Sequence, residues 1–171
     1  PVNRGETFSL FEGCFTTHSK IKAYNRRCEC NLLDAEVITA LTGLDRRREL
    51  AKAWTDALFN QFHDIFDGAA VPDAYRDAYR RAEKSLKTAD RTRRAALKIL
   101  APNRKSSRKT LTVINTLGFT RTEPVRVRLP RSTRCLRDET GRILPVQQID
   151  GESDFIARDV PAFPQMPYKL L

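Results

Sequence analysis

The hydrophobic pattern of this chain changes period once, and that change divides the molecule. Up to about residue 102, apolar residues recur every three or four positions, as on one face of a helix; from Thr110 they alternate, as along a strand. A helical pattern cannot bury its apolar side as a strand, nor the reverse, so the two parts must form separate layers of an α+β fold. The pattern predicts an antiparallel three-helix bundle over 17–102, followed by a small, incomplete antiparallel β domain over 110–171. NRKSSRK, 103–109, reads as a basic linker, and residues 1–16 as an extended lead-in.

Within the first part, Thr17 is placed to cap a helix whose stripe runs Ile21, Tyr24, Cys28, Leu32, Ala35 and Ile38. Gly43 supplies a left-handed stop and Asp45 the cap of a second helix, expected over 46–66 and ending near Gly68. Pro72 suits the first turn of a third helix, where its missing amide proton costs nothing. That helix carries Tyr75, Ala78, Tyr79, Ala82, Leu86, Ala89, Ala96, Leu97 and Leu100 on one stripe, interrupted by Arg93, and Pro102 closes it. Short loops between such helices favour a bundle. Farther on, LTVIN, VRVRL, ILPVQQI and DFIARDV predict five or six strands in one sheet or half a sandwich, too few to bury both faces.

With 40% apolar and 30% charged residues among 171, the chain reads as globular. Its net charge of +10 raises nucleic acid as a partner. Basic residues are interleaved with acids through much of the chain, however, and no zinc-finger or RNA-binding wording accompanies them. Solvated helix faces are the preferred reading, and nucleic acid is not expected. No apolar run approaches the roughly 18 residues of a membrane span. Pro1–Leu10 lacks the basic lead and apolar core of a secretory signal, and a start at Pro1 instead of Met suggests excision from something longer. Cys28 and Cys30 would sit about 200° apart on a helix and cannot share one tetrahedral metal. Cys14 and His18, at i and i+4, lack further ligands nearby. Buried reduced thiols, and with them a cytoplasmic setting, are expected.

The most informative stretch is WTDALFNQFHDIFDG, residues 54–68. Wound as one helix at about 100° per residue, it places Leu50, Trp54, Leu58, Gln61 and Ile65 on one face and His63 about 180° from Trp54. Asp56, Asn60 and Asp67 then lie beside His63, and Phe59 and Phe66 flank the polar strip. An apolar rim around a polar strip implies a surface prepared for something to cover it.

The wording Asn60-Gln61-Phe62-His63-Asp64-Ile65-x-x-Gly68, with Trp54 upstream, resembles the middle-domain signature of glycoside hydrolase family 38, the retaining α-mannosidases. FEGCFTTHSKIKAYNRRCE is similar to the family's entry to the first bundle helix. TLTVINTLGFTRTEPVRVRLP, DETGRILPVQ and VPAFPQMPYKLL resemble the opening of its β domain. The resemblance covers about residues 8–171. It implies that His63 is a zinc ligand and Asp64 a sugar contact. It also implies that the nucleophile, the acid/base and the other ligands come from a preceding α/β domain, so no catalytic carboxylate is assigned to this chain. The implied partners are an α-mannoside substrate and that N-terminal catalytic domain. A chain of this extent alone should be inactive, and its Phe59/Phe66 face should favour a homo-oligomer.

Other residues carry plainer readings. His18 is expected in a capping or surface role, and Asn25, Arg26, Arg27 and Glu29 in a structural hydrogen-bond network. Trp54 should pack, while Asp56 and Asp67 could support His63. The alternative function is a basic helical module that binds nucleic acid or an acidic partner; a third is a helical adaptor docking through Phe59 and Phe66. A binding module should gather its lysines and arginines on one face, whereas a mannosidase segment should expose apolar surface around His63.

Overall fold

The computed structural model describes residues 5, 13–100, 110–163 and 165–170. Most of the expected lead-in and all of the 103–109 linker lie outside the described residues. The chain divides into two compact units, Pro1–Leu100 and Ala101–Leu171.

The first unit opens with a 3₁₀ turn, Cys14–Thr16, and continues with α1 (Ser19–Thr42), α2 (Arg47–Phe59), α3 (His63–Asp67) and α4 (Pro72–Leu100). The three long helices pack around Cys28, Leu32, Ala35, Leu50, Ala53, Ala57, Ala82 and Ala89, with Tyr24, Trp54 and Leu86 partly buried against them. The alanines explain the close approach, since a helix with only a methyl group on its inner stripe can lie near its neighbour. α1 buries the expected stripe, apart from Tyr24, which is half-buried and donates its hydroxyl to Glu83. Gly43 ends α1 at φ 68° and donates its amide to Ala40. A second cluster of Ile21, Ile65, Tyr75 and Ala78 joins α3 to α1 and α4.

Two local expectations are corrected. α1 begins after His18, which holds a left-handed φ of 46° with no side-chain cap. Thr17 does not cap it, because its hydroxyl is turned to the carbonyls of Cys14 and Asp67. The second helix also fails to run through to residue 66: it stops at Phe59 and restarts at His63.

The second unit holds β1 (Thr110–Ile114), β2 (Arg121–Val127), β3 (Cys135–Arg137), β4 (Ile143–Pro145), β5 (Gln147–Ile149), β6 (Glu152–Val160) and β7 (Gln165–Leu170). The strands form two antiparallel sheets, ordered β1-β7-β3-β4 and β2-β6-β5. Leu136 and Leu144 from one sheet and Phe155, Ala157 and Val160 from the other fall in one buried cluster. The expectation of a single sheet unable to bury both faces is therefore corrected: short strands split between two sheets cover each other's inner faces. Pro124 sits on β2, an edge strand, where a missing amide proton is tolerated. In β6 the register slips opposite Arg121 and Glu123, and Asp159 takes φ 54°. That bulge returns Val160 to the buried face after two exposed residues.

Asn115 ties the end of β1 to the end of β6. It is 3% exposed; its amide donates to the carbonyls of Phe119, Val160 and Pro161, and its Oδ1 accepts from the Leu117 amide.

Candidate functional site

The break between α2 and α3 creates the site. Asn60 is only 3% exposed, and its Nδ2 donates to the Ala78 carbonyl of α4 at 2.8 Å. Two residues later Phe62 adopts ψ 133°, which no helix continues through. The chain re-enters helix at His63 and stops again at Gly68, with φ 111°. His63 and Asp64 thus open a short helix of their own. Their side chains are 78% and 56% exposed, and Nε2 of His63 lies 3.4 Å from Oδ1 of Asp64. The Phe62 ring lies 4.3 Å from the imidazole, centroid to centroid.

This restart rotates everything beyond Phe59 relative to one continuous helix, which corrects the predicted surroundings of His63. Asp56 is 7% exposed and belongs to the bundle, where Arg81 and Lys84 hold its two oxygens at 3.1 and 2.8 Å. Asn60 is buried, Leu58 and Gln61 are exposed, and α2 buries Leu50, Ala53, Asp56 and Ala57. Phe66 is half-buried, so the exposed apolar residues beside the site are Leu58, Phe59 and Phe62, each slightly more than half exposed. The Phe59 ring carries the Arg81 guanidinium 4.3 Å from its centroid.

A five-residue helix has too few internal bonds to hold itself. Side chains from both long neighbours brace this one. The Tyr75 hydroxyl of α4 donates to the Ile65 carbonyl at 3.2 Å and accepts from the Ala70 amide at 3.3 Å. Burial pushes the Tyr75 phenol above its usual range, so it remains a donor. From the α1 side, Thr17 and Lys22 both donate to the Asp67 carbonyl. Gln61 donates to Asn25 and Glu29, which bond each other, so the expected polar cluster on α1 is a structural network that reaches the break. Asp67 accepts from the Ala69 amide in the closing turn and does not meet His63 through any described contact. Sequence reasoning missed the bracing role of Tyr75, whose stripe position signals only burial.

Among the described residues no three His, Cys, Asp or Glu side chains gather closely enough to hold a metal. One imidazole and one adjacent carboxylate are nevertheless suitable donors for part of a zinc shell. The other candidates have structural explanations. His18 stacks on Tyr75 at 3.9 Å and 4°, and Trp54 packs on the core while donating Nε1 to Glu36 at 2.8 Å. The four cysteines form no disulfide; Cys28 is buried, Cys14 and Cys135 are half-buried, and Cys30 is exposed, against the expectation that all are buried. No helix among the described residues is long and apolar enough to cross a membrane.

Residues 9–100, more than half of the chain, match the family model for the alpha mannosidase middle domain. The chain belongs to that family. The middle-domain match contains all four helices and with them His63 and Asp64. Alpha-mannosidase 2C1 of Mus musculus is 33% identical over 139 residues, 77% of this chain and 13% of that protein. The Homo sapiens protein of the same name is 38% identical over 74 residues, 39% of this chain and 7% of its own. Alpha-mannosidase G of Dictyostelium discoideum is 32% identical over 74 residues, covering 41% of this chain and 7% of that protein. The chain therefore spans about an eighth or less of these relatives. An alpha-mannosidase from Enterococcus faecalis V583 superposes with TM-score 0.69 at 16% identity, over 91% of this chain and 24% of that one. At that identity the likeness speaks for the fold, which it extends from the middle domain into the strands.

Proposed function

We propose that this chain supplies one wall of the active site of a retaining, zinc-dependent α-mannosidase. In this reading His63 gives an imidazole nitrogen to the metal and Asp64 accepts hydrogen bonds from sugar hydroxyls. The observation that carries it is the exposed, adjacent His63–Asp64 pair on a short helix braced by the buried Tyr75 on one side and by Thr17 and Lys22 on the other. A ligand must be accessible and carried on a fixed backbone, and the bonds to the Ile65 and Asp67 carbonyls fix the backbone of this short helix.

Bound zinc would supply a positive centre that orients hydroxyls of the mannose. Retention needs two carboxyl groups about 5–5.5 Å apart. We assign neither to this chain; they belong to a catalytic domain that would cover the exposed Leu58, Phe59 and Phe62. Left uncovered, the same residues favour association of a second copy. The four free cysteines are in keeping with a cytoplasmic setting.

In the full-length protein, His63→Ala should remove bound zinc and lower kcat/KM on an aryl α-mannoside by about 100-fold or more. Asp64→Asn should keep the zinc and mainly raise KM. The 171-residue chain alone should show no turnover. Full zinc occupancy in active His63→Ala protein, or turnover by the isolated chain, would overturn the proposal.

A further inference from the structure

The outward face of α4 is a single basic stripe. From Arg76 to Lys98 every exposed residue of this helix except Glu83 is arginine or lysine. Arg80, Lys84, Lys87, Arg91, Arg94 and Lys98 are spaced 4-3-4-3-4 and project within about 40° of one line, opposite the buried alanines, over about 27 Å. Arg80, Lys84 and Arg94 lean on Asp77, Asp56 and Asp90. Lys87, Arg91 and Lys98 make no ion pair among the described residues. On the neighbouring α2, Lys52 is exposed, and Glu49, which is paired with Arg46, lines a shallow cavity shared with Arg91. Unopposed like charges at helical spacing cost stability. From Lys87 to Lys98 they continue for about three turns.

We propose that this stripe docks an acidic helix of a partner protein, whose carboxylates repeat at the same 4-3 spacing. The match is one of charge and of period. Two helices lying side by side present facing rows with a common repeat of about 5.4 Å, so that several pairs can form in one register. A duplex backbone curves away from a straight row after a few phosphates. Single-stranded nucleic acid would want exposed aromatic rings, and α4 offers none: Tyr75 is buried, and Lys20 lies over the ring of the half-buried Tyr79. Insertion into a membrane needs an exposed apolar face, whereas that of α4 is the bundle core, leaving Ile99 as its exposed large apolar residue.

The test is fluorescence anisotropy of the chain with a labelled helical peptide bearing six glutamates at 4-3 spacing, beside a scrambled peptide of equal composition and a duplex DNA. Binding of the periodic peptide should be at least about tenfold tighter than either competitor, and should weaken between ~0.05 and ~0.15 M salt. Lys87→Glu with Arg91→Glu and Lys98→Glu should abolish it while the helical circular dichroism is unchanged, and the milder Lys87→Gln, Arg91→Gln, Lys98→Gln protein should weaken it partially. Equal affinity for the scrambled peptide, tighter binding of DNA, or indifference to the triple substitutions would overturn the proposal.

Discussion

At Gly68 two separate constraints meet. Its φ of 111° is one that side chains avoid, and a Cβ placed there would lie 1.8 Å from Oγ1 of Thr17. Gly68→Ala should therefore destabilise the helical unit by about 2–3 kcal/mol, from backbone strain and from the loss of Thr17's bonds to Cys14 and Asp67. On a Thr17→Ala background the same substitution should cost less, because the overlap with Oγ1 is gone while the backbone strain and the tight approaches to the Cβ of residue 17 (3.0 Å) and the Cys14 carbonyl (3.2 Å) remain; denaturant titration of the four proteins reads the difference. An unchanged cost would mean that the contact with Thr17 is unimportant. Gly68 was legible in the sequence as a helix stop. The approach of Thr17, 51 positions earlier, was not, since no local pattern reports a contact over that separation.

The elements were legible where one periodicity governed them and obscure where a buried polar group overrode it. The stripes of α1 and α4 follow from spacing alone, and Arg93, read as an interruption, reaches out to Asn31 and Asp90. The α2–α3 break was not legible, because Asn60-Gln61-Phe62 contains neither glycine nor proline; the break is held by a tertiary bond from Asn60 to Ala78. In the β unit, the turn joining β3 to β4 turns on Asp138, whose Oδ1 accepts from the Thr140 amide, the Thr140 hydroxyl and the Arg142 amide. Burial opposes the charge of Asp138, but the hydrogen bonds from Thr140 and Arg142 outweigh it and hold the carboxyl below its usual range. A lowered folded pKa means that this stabilisation is complete above the unfolded value of about 3.9 and is lost as pH falls through the folded one. Asp138→Asn should cost about 1–3 kcal/mol at pH 7, and the gap to the parent chain should close as the pH falls below the unfolded value and through the lowered folded one. A gap that persists undiminished would show that the charge of Asp138 is immaterial.

At the scale of the whole molecule, the change of period foretold two units of different class, but not that the second would close as paired sheets: strand spacing gives a count of strands and not their order. The wording singles out His63 and Asp64, but their surroundings were not legible, because a continuous helix would have set Asp56 and Asn60 beside His63 in place of Phe62. His63 is proposed to take part in a metal site completed by residues outside this chain. Crystallography of the full-length protein grown with zinc, with anomalous data collected at the zinc edge, tests it most directly. A zinc peak is expected about 2.0–2.1 Å from a ring nitrogen of His63, with Asp64 nearby but facing the substrate space. A fully occupied zinc site that leaves the His63 imidazole unbound would contradict it.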